Sequence, residues 1–570
     1  MIGVICKSDQ LGVVEELFEL FKTPWELFEC GREYDVVIAT TDELPEVDAK
    51  LLLVYGSGKK NIDARYGVTV HSRTSGGTLT FAEGILPIYG NLANFKLEAE
   101  GDSRSDTMPS TVGRRVTSTG AGSIVRFGYD LFEEARLLLS TGQPAALAHI
   151  PTLDLHIDIL RRWILNEGIS LVEIPPTPAG YNFTVCLTHD IDFIGIREHK
   201  FDHTMWGFLY RATIGSVQKL FRGRISFGRL IQNWRAAASL PFVYLGWVRD
   251  FWSPFEWYLR VEKDIPATYF LIPFKRRNGE NVKSRHASRR AAAYDVGDLR
   301  EWVTKLKKQG CEIGVHGIDA WHDAEKGRAE MARVAEVSGE PVHGVRMHWL
   351  LNDGSTVSVL ERSGYEYDST AGYNETIGFR NGTAQVFHPN GVKTLLELPL
   401  HIQDGALFYG NNLDLSDSAA EKLCQGLIAD VQASGGVLTV LWHDRSHAPE
   451  RFWGDFYERL VQTLKSSNVW FATSAQTVSW SRQRRTAKFS RISSASGVRT
   501  SVTCKPSENL PHLRVRVHSP VRATAESQSC GPADLTYTDF AWNGENSVEF
   551  DSLAGRISEV SAGSPVVGIC

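Results

Sequence analysis

The chain contains no CxxC pair and no dense cysteine framework. Its eight cysteines (Cys6, Cys30, Cys186, Cys311, Cys424, Cys504, Cys530 and Cys570) are scattered. That spacing argues against a zinc ribbon and against a disulfide-stapled secreted scaffold. No window approaches eighteen uninterrupted apolar residues, so no transmembrane helix is expected. The first stretch, MIGVICKSDQLGVVEELFELF, has no basic segment leading into a signal-peptide core and reads as a strand followed by an amphipathic helix. Cytoplasmic residence is therefore the default expectation. An excess of positive charge is missing too: the formal net charge of −6 gives no general preference for nucleic acid.

What is present is a soluble globular composition and a length, 570 residues, that suggests two to four domains. Short apolar runs at Ile2–Cys6, Val36–Ala39 and Leu51–Tyr55, with a helical segment at Val13–Phe21, open an α/β region. The pattern turns β-rich from Val68 to Ile88. Gly101–Ser123, rich in Ser, Thr, Gly and Arg, reads as a mobile loop, and helical periodicity returns at Leu131–Leu139 and Leu153–Leu165. Ile174-Pro175-Pro176-Thr177-Pro178 is a stiff connection and marks a boundary, giving an N-terminal α/β domain over 1–178.

From there to about residue 483 strand and helix signals alternate. Apolar runs lie at Thr184–Leu187, Ala267–Ile272, Glu312–Val315, Val342–Met347, Leu395–Leu400, Val437–Trp442 and Val469–Ala472. About seven βα repeats predict a parallel sheet closed into a barrel over 179–483. A Ser/Arg-rich joint, Ser481–Ser496, leads into a small β-rich domain over 484–570. There Leu513, Val515 and Val517 alternate with Arg514, Arg516 and His518 in a half-buried strand pattern.

If the fold is a barrel, chemistry belongs at the strand ends. The first end is Thr188-His189-Asp190-Ile191-Asp192. Alternation sends Asp190 and Asp192 to one side, roughly 7 Å apart, and two carboxylates so close call for a cation or proton between them. Loop-end aspartates capping the next segment would look the same. Next comes Gly314-Val315-His316-Gly317-Ile318-Asp319-Ala320-Trp321-His322-Asp323, two imidazoles and two carboxylates with the makings of a metal site. Gly344-Val345-Arg346-Met347-His348-Trp349 offers a guanidinium that could orient a carboxylate base. Leu441-Trp442-His443-Asp444-Arg445-Ser446-His447 offers a general-acid histidine, or alternatively a helix-start cluster.

Taken in this order, these four elements resemble the polysaccharide deacetylase superfamily, the NodB-homology or carbohydrate esterase family 4 group, in a THDxD form. The resemblance covers about 300 residues, from Thr184 to roughly Trp480. It implies a distorted (β/α)7-type barrel of the polysaccharide deacetylase kind and a divalent metal, zinc foremost. It implies Asp190 as general base, Asp192 and His316 as metal ligands, Arg346 as the partner of Asp190 and His443 as general acid. The activity implied is a metal-dependent hydrolase that removes N-acetyl groups from an amino sugar or glycan, in polysaccharide assembly.

The family's second histidine would fall at Ala320; His322 is the favoured third ligand and Asp319 the alternative. Asp368 and Glu397 are both candidates for the carboxylate that tunes the acid histidine. His348 and His447 read as solvated loop histidines, with a place in the site as the other option. Two further functional readings stay open. One is a non-catalytic glycan-binding or scaffolding protein with a degenerate barrel, favoured by Ala320; the other is an amidohydrolase of small cyclic amides.

One absence inside the barrel region is informative. The insertion 204–249 contains Arg211, Lys219, Arg222, Arg224, Arg229, Arg235 and Arg249 and no Asp or Glu, with aromatics such as Trp206, Phe221, Trp234 and Trp247 running through it. It reads as a helical cap on the barrel, as a membrane-interface segment peripheral to anionic lipid or a contact for a lipid-linked glycan, or as a binder of anionic polymer.

Overall fold

The computed structural model describes residues 1–81, 84–97, 113–119, 122–284, 286–494, 497–507, 509–520, 536–545, 547–551 and 556–559. Two compact units are formed, one from 1–180, 381–390 and 479–570, the other from 181–380 and 391–478. Residues 101–112 of the stretch read as a mobile loop lie outside the described residues, as do Cys530 and Cys570.

The first unit contains β1 (Ile2–Ile5), β2 (Trp25–Leu27), β3 (Tyr34–Ala39), β4 (Ala49–Tyr55), a separate hairpin of β5 (Val68–Phe81) and β6 (Gly84–Leu97), then β7 (Arg114–Thr119) and β8 (Gly122–Phe127). The main sheet runs β2-β1-β3-β4-β8-β7, and only the β7–β8 hairpin is antiparallel. Strand order reverses between β1 and β3, as in doubly wound folds. Helices α1 (Leu11–Phe21), α2 (Leu131–Ser140) and α3 (Thr152–Asn166) bury apolar stripes, with Leu17, Leu138 and Leu160 joining Val4, Val36 and Leu53 in one core. A short β9 (Leu171–Glu173) pairs with Leu513–His518. In that strand Leu513, Val515 and Val517 are buried, while Arg514 and Arg516 both bond the Asp539 carboxylate, as the alternation predicts. A second antiparallel sheet joins Lys488–Ser494, Gly497–Thr503, Val548–Asp551 and Arg556–Glu559.

The second unit is an α/β barrel. Its strands are β10 (Thr184–Ile191), β11 (Ala267–Leu271), β12 (Glu312–Gly317), β13 (Gly344–Met347), β14 (Tyr367–Asp368), β15 (Leu396–Glu397), β16 (Ile402–Gln403), β17 (Val437–Leu441) and β18 (Trp470–Phe471). All pairings are parallel, in the order β15-β14-β13-β12-β11-β10-β17-β16. The two ends of that path, β15 and β16, are separated in sequence only by residues 398–401. Along this link Leu398 and Leu400 donate to the carbonyls of Asp368 and Ala371, at 2.8 and 2.9 Å, and His401 donates to that of Thr439 at 3.1 Å. One continuous segment thus serves both edges and closes the sheet, leaving seven staves in a distorted (β/α)7 barrel.

The seventh stave is β14 rather than the predicted run at 469–472. Trp470 and Phe471 instead pair with the first two residues of β10. β14 escapes an apolar-run search because only two of its residues are in ladder geometry. Close approach requires glycine at two positions here. A Cβ on Gly344 would lie 1.8 Å from the Tyr367 ring, and one on Gly314 would lie 2.7 Å from that of Phe270.

The insertion forms α4 (His203–Tyr210), a π-helical turn, α5 (Ser216–Phe221) and α6 (Phe227–Tyr244). Met205, Phe208, Ala212, Leu240 and Val243 pack with Trp252 as a helical cap, one of the three arrangements its pattern allows. Among the described residues no helix is long and apolar enough to cross a membrane.

Candidate active site

β10 is buried along its whole length. Its alternation sends Thr188, Asp190 and Asp192 to one side and His189 to the other, where His189 Nε2 lies 2.8 Å from Glu262. Arg346 leaves β13 and reaches across to β10. Its Nη1 donates to Thr188 Oγ1 at 2.7 Å and to Asp190 Oδ1 at 3.1 Å, its Nε to the Ser369 carbonyl at 2.9 Å, and its Nη2 to Ser369 Oγ at 2.8 Å. The guanidinium, fully buried, lies 4.6 Å from the centre of the Phe270 ring, which itself lies over Gly314. Every nitrogen of Arg346 is engaged, so it holds the Asp190 carboxylate in one orientation and leaves Oδ2 free of it.

His316, at the end of β12, donates Nδ1–H to the Arg346 carbonyl at 3.0 Å. That bond fixes the tautomer and turns an Nε2 lone pair toward Asp192. Nε2 stands 2.9 Å from His348 Nδ1 and 3.4 Å from Asp192 Oδ1, and His348 Nδ1 is 3.1 Å from the same oxygen. Asp192, His316 and His348 are the group of potential metal ligands found among the described residues. Their separations bracket the ~3.3 Å edge of a tetrahedron with metal–ligand bonds of ~2.0–2.1 Å. Asp192 Oδ1 is buried and makes no hydrogen bond. Two nitrogens and a carboxylate with an orphaned buried oxygen, converging in this way, fit a divalent ion. Although burial opposes it, the imidazoles of His348 and His316 hold the Asp192 carboxyl well below the ordinary range.

The third position corrects the expectation for His322. After β12 the backbone N–H groups of Ile318 and Asp319 bond the Glu330 carboxylate at 3.0 and 2.7 Å, drawing the loop toward helix Ala324–Ser338. His322 pairs there with Asp319 at 3.2 Å, and neither belongs to the three-ligand group. His348, read as a solvated loop residue, is buried in the site instead. Trp349 (φ 65°) and Leu350 (φ 52°) turn the chain through left-handed conformations just beyond it. Such turns cost about 1 kcal/mol or more each in non-glycine residues, and here they follow the histidine they position.

His443 follows β17. Its Nδ1 lies 2.6 Å from Asp404 Oδ1 and its backbone N–H donates to Asp404 Oδ2 at 2.9 Å. Burial disfavours the charged ring, yet Asp404, with Asp192 and Asp190 beyond, holds it well above its ordinary value. Asp404 was missed by sequence reasoning because it follows the two-residue strand β16, which no apolar run announces. The two carboxylates considered for that task do something else. Asp368 and Glu397 face each other, buried, and burial raises both, Asp368 to about 6. His447 is likewise outside the group: its Nδ1 meets the Asp444 carbonyl at 2.9 Å, and its ring stacks on Trp257. Asp444 supports the site from behind, accepting the Asp192 N–H at 2.9 Å.

Asp190, Asp192, His316, His348 and His443 line one cleft of about 260 Å³, walled by Trp349, Tyr409 and Trp453. No family model and no curated protein matches the chain. Among solved structures it is similar to a probable polysaccharide deacetylase from Pseudomonas aeruginosa PAO1 (15% identity, TM-score 0.33, 54% of this chain and 94% of that one). It is also similar to the Puue allantoinase (14%, 0.33, 54% and 92%). A family 4 carbohydrate esterase from Streptomyces lividans in complex with acetate is a further likeness (12%, 0.24, 51% and 93%). Strand order and closure define the barrel by themselves.

Proposed function

We propose that this protein is a metal-dependent N-deacetylase acting on an acetylated amino sugar or glycan. The observation that carries this reading is the meeting of three held groups in one cleft: Asp190 with Arg346, the Asp192–His316–His348 group, and His443 with Asp404. A divalent ion held by Asp192, His316 and His348, zinc by its donor set, would acidify a water and polarise the amide carbonyl. Asp190 takes the proton of the attacking water at its free oxygen while Arg346 keeps the carboxylate aimed. His443, kept charged by Asp404, gives a proton to the departing amine. Water and amide become acetate and a free amino sugar. The aromatic walls Trp349, Tyr409 and Trp453 suit the apolar faces of sugar rings. Ala320, which favoured a degenerate site, costs no ligand in this arrangement, since His348 occupies the third position.

The test is acetate release from acetylated amino sugars by zinc-reconstituted full-length protein. Asp190→Asn is expected to lower it by roughly 10³-fold or more with zinc content unchanged. Activity surviving that substitution, or wild-type protein that retains no zinc, would sink the reading.

The cap gives this enzyme a place to work, at the surface of an anionic membrane facing the cytoplasm. Phe221, Phe227, Trp234, Phe242, Leu245 and Trp247 all stand exposed on a segment whose ionisable side chains are otherwise cationic. Interfacial binding combines those two features. Co-sedimentation with phosphatidylglycerol vesicles, lost in a Phe221→Glu/Trp247→Glu variant and absent with phosphatidylcholine, is the expected outcome. Failure to bind the anionic vesicles at low salt would remove the membrane from the account.

A further inference from the structure

A second cavity, about 530 Å³, adjoins the cleft along Asp192, His348, Trp349 and Tyr409. Arg445 and Arg451 line both spaces, and the remaining walls come from Phe193, from the cap helix α4 and the residue after it, and from 289–292. Five guanidiniums line it, those of Arg211, Arg289, Arg290, Arg445 and Arg451, against one carboxylate, Asp192, which belongs to the three-ligand group.

These cations are poorly compensated. Arg211 has only a 3.8 Å approach to Glu450, and its buried Nε makes no hydrogen bond. Arg445 is 4.0 Å from Asp444. Among the described residues Arg289, Arg290 and Arg451 have no carboxylate at ion-pair distance. Burial, and then the neighbouring charges of Arg451 and Arg445, push Arg211 down to about 10 although Glu450 opposes. Arg290 differs from the rest: it is buried and spends its donors on the carbonyls of His348, Asn278 and Gly317, bracing the turn that carries His348.

Two of the others are clamped by aromatic rings. Arg445 lies 3.7 Å from the Phe193 centroid and 4.9 Å from that of Trp252; Arg451 lies 4.6 Å from Tyr409 and 4.9 Å from Trp453. A guanidinium held by its face keeps its N–H donors available at the edge, oriented before any ligand arrives. Gathered, oriented and weakly compensated arginines are the arrangement that recognises tetrahedral oxyanions bidentately. A diphosphate supplies more charge and more acceptors than a single carboxylate, which suits several guanidiniums around a cavity of this size.

We propose that this cavity holds a phosphate or diphosphate group of the substrate, so that the acetylated sugar presented to the neighbouring centre is a glycosyl phosphate. The sugar's fate rests on the deacetylase reading; the anion site stands on its own residues. Calorimetric titration of metal-free, full-length protein with inorganic pyrophosphate tests the site without any chemistry. Binding is expected, weakened at least about tenfold by Arg211→Ala or Arg451→Ala and by added salt. No heat of binding at low salt, or binding that neither substitution weakens, would overturn the proposal.

Acetate release then compares N-acetylglucosamine, its 1-phosphate, and a polyprenyl-diphosphate-linked form in micelles. A phosphorylated form should have the larger kcat/KM, by about a hundredfold, and both substitutions should shrink that ratio at least tenfold. Preference for the micellar or the soluble phosphate identifies the source, and either supports the proposal. Equal rates on the neutral sugar would overturn it. Pyrophosphate binding without acetate from any substrate would uphold the anion site and strike the deacetylase reading instead.

Discussion

Two largely parallel sheets in this molecule present polar side chains beyond their strand C-termini, and they leave those groups in different states. At the reversal point of the N-terminal sheet the polar groups satisfy one another. Lys7 and Gln10 bond the Asp130 carboxylate at 3.0 and 2.9 Å, Thr40 donates to Gln10 Oε1 at 2.7 Å, and Lys60 donates to Asp42 and to the Thr40 carbonyl at 2.8 and 2.7 Å. At the barrel mouth Asp192 Oδ1 and Asp444 Oδ2 are buried without hydrogen bonds, beside an open cleft. Strand topology makes both places available for a ligand. Unspent bonding capacity next to empty space separates a site from a well-tied sheet end.

The comparison breaks most visibly if the barrel mouth turns out not to need its unpaired groups. His348→Ala should reduce bound zinc from about one per chain to below about a tenth and remove acetate release, whereas His322→Ala should leave both within about twofold. Metal analysis of the two proteins side by side decides it. Next in size, Asp404→Asn should lower kcat by about 10²-fold or more. Because Asp404 holds the His443 ring above its ordinary range and the charged ring is the acid, the alkaline loss of activity should move to lower pH. An unmoved alkaline limb would count against Asp404 as its partner.

The N-terminal unit should answer to pH through stability instead. Glu134 accepts the N–H groups of Tyr89 and Gly90, but burial outweighs them and pushes its carboxyl up to about 7. Between pH ~4.5 and ~7 the folded protein therefore keeps a proton that the unfolded chain has lost. Stability should fall as pH rises through that window, by up to about 3 kcal/mol from this group, and Glu134→Gln should flatten the slope in urea unfolding. The smallest effect is expected from Asp130→Ala, which removes the N-cap of α2: about 1–2 kcal/mol of stability, with acetate release by the folded enzyme unchanged.

The barrel and most of its mouth were legible because buried parallel strands write themselves as apolar runs. Asp190, His316, Arg346 and His443 each end such a run, so alternation alone brought them to one rim. His348 was not legible: its place depends on a left-handed turn at Trp349 and Leu350, and neither residue type advertises that conformation. Asp404 and β14 were hidden by the shortness of their strands. The 204–249 pattern was ambiguous for another reason. A helical segment with one apolar side against Trp252 and further aromatics facing outward yields a single mixed composition, which only packing can sort.

Arg346 has one further consequence. It runs from the β13 wall to the β10 wall and touches residues beyond β14 as well, a tie-bar across the bore with no exposed surface. Toward the opposite strand ends the same faces carry Phe270 and then a bonded polar group, Thr268 and Tyr367 donating to Glu312 at 3.0 and 2.7 Å. On the deacetylase reading, a proton accepted by Asp190 is released into the cleft that Asp190 lines. On that reading proton, acetate and amine all pass through the mouth that admits the substrate, and the tie-bar keeps the base turned toward it.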